Sequence, residues 1–389
     1  MTDVLLSILH ATLVHTGYTL VCVAIGFVVG VSLGIALSRL PTLSRYLLPL
    51  LSILCIGCST DNAMIFKDKT IYVDEFPSHF KLSSPDSVET GIQGILNFSI
   101  EDSIMILHTA DNDAAWKILS LDDMSMQTGL LRKGNGPDEL ISIPSVSSSE
   151  SLTINGELHY YINDINKRQL LDLNLSRSIT EGRPHMETIR KDLPYGSFNT
   201  ILINDSTYFI RALSNDQTKL ERKLLENNVP TVPEELVQIN SAHVKAGTWY
   251  GPLCTGLYYN RQINLLVESP VYLNNINIYT PDGSFRKSLC FGGKPVDVMD
   301  IVRYDRPEGF FHTKLYENCF AAARLLDGHT HIYIIDYEGN PVSEIELDLP
   351  STGFDFDIAG QRLYAYDGNT ESFWRYDLPK DFPESLIID

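Results

Sequence analysis

The sequence predicts an all-β protein, in which many short strands follow one another behind an apolar N-terminal segment. In residues 353–378, GFDFDIAGQRLYAYDGNTESFWRYDL, apolar and polar residues alternate and are interrupted by a polar turn. Alternation with a period of two is typical of half-buried antiparallel strands. Similar strand–turn–strand units recur along the chain after residue 60. The 19 Tyr, 16 Phe and 25 Gly residues fit this reading, because aromatic residues favour strands and glycine favours tight turns.

Residues 1–58 are apolar, and we expect them to be a membrane-spanning or leader region. Val4 to Ser38 contains no Asp, Glu, Lys or Arg. Residues 18–37 are long enough to cross a bilayer, for which about 20 apolar residues are needed. Gly26, Gly30 and Gly34 would share one face of that helix, a spacing that suits either close helix–helix packing or an isolated span.

A second apolar run, residues 46–57, follows Arg39 and Arg45. Its last two residues, Ile-Gly, stand directly before Cys58. Basic residues, a short apolar core and small residues before a cysteine are typical of a secretory leader. The ending resembles a bacterial lipobox, which implies lipid attachment at Cys58, although Cys55 stands where lipoboxes usually have Leu. The positive-inside rule keeps the two arginines in the cytoplasm and sends the chain after Cys58 outward. The large domain is therefore expected in the cell envelope, in the periplasm or at the cell surface.

Residues 10–53 also resemble the start of the inner-membrane permease of betaine or osmolyte ABC transporters. The resemblance covers one span and the beginning of another, and the remaining spans and the coupling loop are missing. It therefore leaves a truncated permease fragment, fused to a lipoprotein domain, as one alternative for the organisation of the chain.

We interpret residues 59–69 as a polar tether and residues 70–389 as one large β domain. Residues 278–284 and 335–340 each read as a strand, an acidic residue followed by Gly, and a return strand, and their glycines Gly283 and Gly339 lie 56 positions apart. A repeat of about 55 residues fits six units, and more than twenty short strands are too many for two packed sheets. The prediction is a six-bladed β-propeller, with five or seven blades left open.

Two details of this propeller are also predicted. The N-terminal strand usually completes the last blade, so residues 70–73 are expected to join the blade that contains residues 363–376. Residues 217–227, QTKLERKLLEN, have leucines at helical spacing and are interpreted as a helical insertion.

The loop at residues 134–140, GNGPDEL, follows a strand, and Gly134 and Gly136 permit positive φ while Pro137 fixes the exit. It resembles the Gly-x-Gly-Pro-x-Glu loop at the end of the first complete blade in TolB-like six-bladed β-propeller proteins of Bacteroidetes, which are mostly lipoproteins. Gly134, Gly136, Pro137 and Glu139 match that loop, and the resemblance covers roughly residues 70–378. It implies a propeller that binds a ligand outside the cytoplasm.

Composition excludes some functions. The net charge is −19, and the chain outside residues 1–58 carries 28 basic and 48 acidic residues. A diffuse acidic surface argues against nucleic-acid binding, which needs clustered Lys and Arg. Cys254, Cys290 and Cys319 are well separated and indicate no disulfide framework.

Candidate catalytic and metal sites are few. His329 and His331 share one face of a strand, but no third metal ligand is near them in sequence. No nucleophile elbow, zinc-protease or phosphate-loop motif is present. Trp116, Trp249 and Trp374 could line a sugar-binding face, but each is expected on a strand as part of the core.

These observations lead to one main functional expectation. The protein is predicted to be a non-enzymatic, membrane-anchored and monomeric propeller, without metal or cofactor, that binds a protein, peptide or glycan through one face or its central channel. The alternative is a hydrolase or lyase that uses acidic residues at the channel mouth.

Overall fold

The structure is a computed structural model that describes residues 62–301, 309–380 and 382. These residues form 28 strands, most of them in six antiparallel sheets that we number as blades 1 to 6 in chain order. Three short strands come first: β1 (Thr70–Val73), β2 (Ser78–Leu82) and β3 (Asp86–Ser87).

Blades 1 to 3 each contain four strands. Blade 1 consists of β4 (Ile95–Glu101), β5 (Ile104–Thr109), β6 (Trp116–Ser120) and β7 (Met126–Leu130). A two-stranded parallel pair follows, β8 (Arg132–Lys133) and β9 (Glu139–Leu140). Blade 2 consists of β10 (Glu150–Ile154), β11 (Glu157–Asp164), β12 (Gln169–Asn174) and β13 (Met186–Arg190). Blade 3 consists of β14 (Ser197–Asn204), β15 (Thr207–Leu213), β16 (Leu220–Glu226) and β17 (Val229–Thr231).

Blades 4 to 6 use the rest of the described chain. Blade 4 consists of β18 (Thr255–Asn260), β19 (Leu265–Pro270), β20 (Asn275–Tyr279) and β21 (Arg286–Phe291). Blade 5 consists of β22 (Phe310–Leu315), β23 (Cys319–Leu326), β24 (His329–Asp336) and β25 (Pro341–Leu347). Blade 6 consists of β26 (Gly353–Asp357), β27 (Arg362–Asp367) and β28 (Ser372–Asp377).

Helices are short in the described chain. Helix α1 (Leu175–Glu181) begins after Asn174, whose side chain accepts from the Arg177 N–H, and ends at Gly182 in the left-handed conformation. The second helix, α2 (Val237–Asn240), has one turn. Single 3₁₀ turns occupy five further places: Lys67–Lys69, Val146–Ser148, Glu234–Leu236, Gly251–Leu253 and Val298–Asp300. No helix among the described residues is long and apolar enough to cross a membrane.

Apolar clusters between consecutive blades show that the six sheets close into a ring. Each cluster combines buried side chains of two neighbouring blades, including blades 6 and 1. Each boundary can be represented by two buried residues, one from each of the two blades that meet there. In order from blades 1 and 2 to blades 6 and 1, these are Trp116 and Tyr160, Leu170 and Tyr208, Phe209 and Tyr279, Phe291 and Tyr333, Ile345 and Leu363, and Tyr366 and Phe98. The prediction of a six-bladed propeller is confirmed.

The first strand of each blade faces the centre of the ring. Strand β26 packs against β4, and β22 packs against β18 and β26. The hairpins predicted around Gly283 and Gly339 are also confirmed. They connect the third and fourth strands of blades 4 and 5, and both glycines have positive φ (75° and 83°) as tight acid–Gly turns require.

The N-terminal segment closes the ring differently from the prediction. Strand β1 pairs in parallel with β21 on blade 4, and β2 pairs in parallel with β25 on blade 5. The strand that completes blade 6 is β3, which pairs with β28. The expectation that residues 70–73 complete the last blade was therefore wrong, because the closing strand is a polar pair of residues with no alternation to mark it.

Two further sequence interpretations need correction. Residues 62–66 are buried rather than part of a polar tether, because Ala63, Met64, Ile65 and Phe66 are each 3% exposed or less. The segment at residues 217–227 contains strand β16, not a helix, because Leu220 and Leu225 pack into the blade boundaries and the backbone pairs with β15. The predicted membrane span at residues 18–37 and the leader up to Cys58 lie outside the described residues.

The burial of residues 62–66 generates a prediction. Phe66 is 0% exposed, its ring lies 5.7 Å from that of Tyr279, and its N–H donates to Ser288 Oγ at 2.7 Å. We expect Phe66→Ala to lower the free energy of unfolding by about 3–5 kcal/mol, because it removes a fully buried aromatic ring. Denaturant unfolding measures this change. Ile71→Ala on β1, where Ile71 is 37% exposed, is the control and should cost much less. Equal effects of the two variants would show that residues 62–66 are a tether after all.

Candidate functional site

A cavity of about 770 Å³ lies among the central strands of blades 1 to 5. Its walls include Glu101 of β4, Glu150 of β10, Asn199 of β14, Tyr258 of β18 and Lys314 of β22. Pockets of roughly 300–1,000 Å³ hold small ligands in many proteins. This cavity is the candidate functional site.

The loop before β10 forms one wall of the cavity. Its 3₁₀ turn, Val146–Ser148, packs against β4 and β5 of blade 1 and against β18 of blade 4, so the loop reaches across the centre of the ring. Trp116 Nε1 donates to the Pro144 carbonyl at 3.2 Å, and Val146 is buried. Ser145 and the neighbouring serines then line the cavity, so this wall is rich in hydroxyl groups.

The first group of charged residues in the wall is centred on Lys314. Its Nζ lies 3.0 Å from Asp355 Oδ2 and 3.3 Å from Glu101 Oε1, and it donates to Ser99 Oγ at 2.6 Å. Burial alone would lower the pKa of Lys314, but the two carboxylates raise it overall. Lys314 therefore stays charged and links blade 5 to blades 6 and 1.

Tyrosine hydroxyls complete this group. Tyr160 donates to Glu101 Oε1 at 2.8 Å, and Tyr316 donates to Asp355 Oδ1 at 2.9 Å. Burial and the adjacent carboxylates raise the pKa of both tyrosines, so both remain protonated donors. Each carboxylate is thus satisfied by a cation and a neutral donor.

The second group is an ion pair that spans blades 4 and 2. Arg261 Nε lies 2.7 Å from Glu150 Oε1, and its Nη2 donates to Glu150 Oε2 at 3.1 Å and to the Leu202 carbonyl at 2.7 Å. The guanidinium lies over the rings of Tyr161 and Tyr259, at 5.5 and 5.2 Å from their centroids. Burial raises the pKa of Glu150 more than Arg261 lowers it. Both residues of the pair line the cavity.

Behind the wall, a buried cluster joins blades 3 and 4. Glu268 is 0% exposed and lies 3.0 Å from Arg211 Nη1 and 2.7 Å from Arg222 Nη2. Tyr279 donates to its Oε2 at 2.7 Å, and Thr255 donates to its Oε1 at 2.5 Å. Burial would raise the pKa of Glu268, but the two guanidiniums more than offset this effect and hold it well below its usual range. Arg211 Nε also donates to Asn199 Oδ1 at 3.1 Å. Because Asn199 lines the cavity, this hydrogen bond connects the cluster to the cavity.

The loop at residues 134–140 is held by hydrogen bonds within it and from Lys167. The Glu139 carboxylate accepts from the Gly136 N–H at 2.8 Å, and Lys167 Nζ donates to the Gly136 and Glu139 carbonyls at 2.9 and 2.5 Å. Gly134 and Gly136 do not have the positive φ that the sequence interpretation invoked. A Cβ at Gly134 would lie 2.1 Å from Glu139 Oε2 and one at Gly136 would lie 3.0 Å from it, so a larger residue at either position would displace the Glu139 carboxylate from the Gly136 N–H. Pro137 lies in the same turn, which precedes the serine-rich loop.

The other sequence candidates do not enter the cavity. His331 Nδ1 and His79 Nδ1 lie 2.7 and 2.9 Å from the two oxygens of Glu344 on blade 5. No group of three or more His, Cys, Asp or Glu in the described chain is arranged to hold a metal ion. Cys254, Cys290 and Cys319 are free thiols. The proposed lipid attachment residue Cys58 lies outside the part of the chain that the structure describes.

Trp116 lies on a strand as predicted, and Trp249 does not. Trp116 is fully buried on β6, as expected. Trp249 was wrongly placed on a strand, since it precedes the turn Gly251–Leu253 and is half-buried with its ring 5.1 Å from that of Tyr272. The sequence reasoning also missed the cavity residues of the loop before β10, for which the run SVSSSES at residues 145–151 was the available signal.

Comparisons with known proteins describe the fold only. No protein-family model and no curated protein sequence matches the chain. A putative exported protein from Bacteroides fragilis aligns with 80% of this chain and 100% of its own at 12% identity and a TM-score of 0.45. A protein of unknown function from Bacteroides thetaiotaomicron aligns with 78% of this chain and 75% of its own at 10% identity and a TM-score of 0.43. The β-propeller domain of Myceliophteria thermophila Cps50 (Swd1) covers 76% of this chain and 100% of its own at 10% identity and a TM-score of 0.41. Because these values are low, the propeller assignment rests on the sheet topology described above.

The buried cluster at Glu268 generates the next prediction. We expect Glu268→Gln to lower the free energy of unfolding by about 3–5 kcal/mol, because Arg211 and Arg222 would lose their shared counter-charge in the interior. Glu338→Gln is the matched control, since Glu338 is 75% exposed and lies 3.6 Å from Lys287. It should change stability by less than about 0.5 kcal/mol. Chemical denaturation of both variants checks this, and a loss below about 1 kcal/mol for Glu268→Gln would contradict it.

His312 on the central strand β22 generates a pH prediction. It is 5% exposed, and burial and Lys314 lower its pKa from 6.5 to about 3. The folded state therefore binds fewer protons than the unfolded state, so stability falls as the pH drops from 6.5 towards 3. The loss is at most about 1.4 kcal/mol per pH unit. We expect His312→Leu to lose about 2 kcal/mol less stability than wild type between pH 6.5 and 4.5, measured by denaturation at each pH.

The control for this measurement is His243→Leu, which changes an exposed histidine. Its stability curve should run parallel to that of wild type across the same pH range. A parallel curve for His312→Leu would rule out the proposed role of His312.

Proposed function

We propose that this protein is a ligand-binding propeller held outside the cytoplasm by its N-terminal segment, and that the central cavity is its binding site. The observation that carries the proposal is the cavity of about 770 Å³, whose walls come from five blades and place polar and aromatic side chains around one space. Such a concave site on a rigid scaffold is suited to binding. The ligand is a protein segment, a peptide or a glycan.

The charge arrangement supports binding over catalysis. Of the three carboxylates that line the cavity, Glu101 and Glu150 are paired with Lys314 and Arg261, and only Glu317 is exposed. Hydrolysis of a glycoside needs two free carboxyl groups, one that protonates the leaving oxygen and one that activates water or acts as the nucleophile. Paired carboxylates instead provide a fixed polar surface. A hydrolase or lyase remains the alternative proposal, and turnover of a captured ligand would support it.

The location and family are also part of the proposal. The lipobox-like sequence before Cys58 and the arginines Arg39 and Arg45 support anchoring in the cell envelope. The Gly134–Glu139 loop supports membership of the TolB-like propeller lipoproteins of Bacteroidetes. A mature N-terminus at a lipidated Cys58, found by mass spectrometry of the membrane fraction, would support this anchoring. The permease-like residues 10–53 lie outside the described residues and stay an alternative for the anchor alone.

A blocked cavity tests the binding role. Ser151 is exposed on β10 and lines the cavity, so we expect Ser151→Trp to fill part of the space and to abolish ligand capture. The full-length protein, purified in detergent, is incubated with separate protein, peptide and glycan fractions from a cell-envelope extract. Bound material is then eluted and identified by mass spectrometry.

The matched control is Ser87→Trp on β3, which adds the same side chain at the outer edge of blade 6. Wild type and Ser87→Trp should retain the same ligand, and Ser151→Trp should retain less than about a tenth of it. Capture that is equal in all three proteins, or absent from wild type, would disprove binding in the cavity.

A further inference from the structure

We infer that the cavity takes a short neutral oligosaccharide, an inference that rests on the proposed binding function. Three properties of the wall point to this class of ligand: its buried charges are already paired, its other polar groups apart from the exposed Glu317 are hydroxyls and amides, and aromatic side chains line it.

The paired charges disfavour a charged ligand. Glu101 and Lys314 are 19% and 16% exposed, and Glu150 is 11% exposed against Arg261. A ligand carboxylate would have to displace Glu150 from Arg261, and a ligand cation would have to displace Lys314 or Arg261. Either exchange leaves a partly buried charge without its partner, which is costly. A neutral ligand leaves these pairs intact.

Apart from the exposed carboxylate of Glu317, the remaining polar groups of the wall match sugar hydroxyls. Ser147, Ser151 and Thr153 line the wall on and before β10, and Asn163 and Gln262 add amide groups. A hydroxyl donates one hydrogen bond and accepts two, and an amide both donates and accepts. Sugar hydroxyls have the same mixed capacity, so each of them finds a partner whichever way it points.

Aromatic rings supply the apolar contacts that sugar rings need. Phe198 lines the cavity, and its ring lies 6.3 Å from that of Tyr250, which is 36% exposed. Trp249, the residue before Tyr250 in the chain, is half-buried, and its ring lies 5.1 Å from that of Tyr272. The faces of such rings are apolar, while tyrosine and tryptophan also carry a polar edge. Carbon–hydrogen faces of pyranose rings stack on such surfaces, so Phe198 in the wall and Tyr250 beside it offer a sugar ring an apolar contact.

The size of the cavity sets the length of the ligand. A space of about 770 Å³ lies within the range of roughly 300–1,000 Å³ for pockets that enclose small ligands. It therefore encloses a ligand of small-molecule size, which for a glycan is a short oligosaccharide. A peptide of similar size would bring charged termini or side chains unless it were bound as an internal segment of a longer chain.

The test uses an array of neutral oligosaccharides, acidic oligosaccharides and peptides, probed with full-length protein in detergent. We expect binding to neutral oligosaccharides, followed by calorimetric titration of the best one. Tyr250→Ala should weaken its affinity about tenfold, and Ser151→Trp should abolish it. Tyr72→Ala is the aromatic control, since Tyr72 is 55% exposed on β1 at the outer edge of blade 4, and it should leave the affinity unchanged.

Three results would overturn the inference: no neutral oligosaccharide bound, binding of acidic oligosaccharides or peptides only, or neutral binding that Ser151→Trp and Tyr250→Ala leave unchanged. Thermal unfolding of each variant confirms that it is folded. If peptides alone bind and Ser151→Trp blocks them, the cavity is still the binding site and only the ligand class is wrong. If Ser151→Trp affects no capture at all, the proposed function itself fails.

Discussion

In the part of the chain that the structure describes, neighbouring blades share no β-ladder, so the ring is held closed by side-chain contacts at six boundaries. Apolar clusters fill each boundary, but apolar contacts alone are not directional. Hydrogen bonds from buried polar groups fix the angle between blades. They join blades in ring order through Tyr160 and Glu101, Asn163 and Thr200, Arg222 and Glu268, Ser269 and Thr313, Tyr316 and Asp355, and Asp355 and the Ile100 N–H. Because buried polar groups are costly when unpaired, this set of contacts favours one arrangement of the blades.

The N-terminal segment adds a second means of closure. Residues 62–66 enter the boundary of blades 3 and 4, and Asn275 and Asn277 both donate to the Met64 carbonyl at 3.0 Å. The chain then adds β1 to blade 4, β2 to blade 5 and β3 to blade 6. One segment therefore covers the outer edges of two blades and completes a third. Covered edges cannot pair with other chains, so this half of the ring is protected against edge-to-edge association.

Much of the fold could be predicted from the sequence, because strand alternation and acid–Gly turns are local signals. The hairpins at Gly283 and Gly339 were found in this way. The errors came from contacts between distant parts of the chain. Pairing with β15 makes residues 220–226 a strand although their Leu, Glu and Lys content favours a helix, and β3 has only two residues to mark it. The cavity could not be predicted, because Glu150 and Arg261 are 111 positions apart and nothing local links them.

The cavity and the closure of the ring depend on each other. Central strands pack directly against one another on the side of blades 4, 5, 6 and 1, where Lys314 joins Glu101 and Asp355. On the side of blades 2 and 3, the loop before β10 and the long Arg261 side chain bridge the space instead. The long Arg261 side chain and the hydroxyl-rich loop span the gap beside blades 2 and 3. Shorter apolar side chains could fill this gap only if the blades lay closer together. Several polar groups that help to hold blade 2 in the ring, Glu101, Glu150, Asn163 and Arg261, therefore also line the cavity, so the closed propeller retains a polar space on one side of its centre.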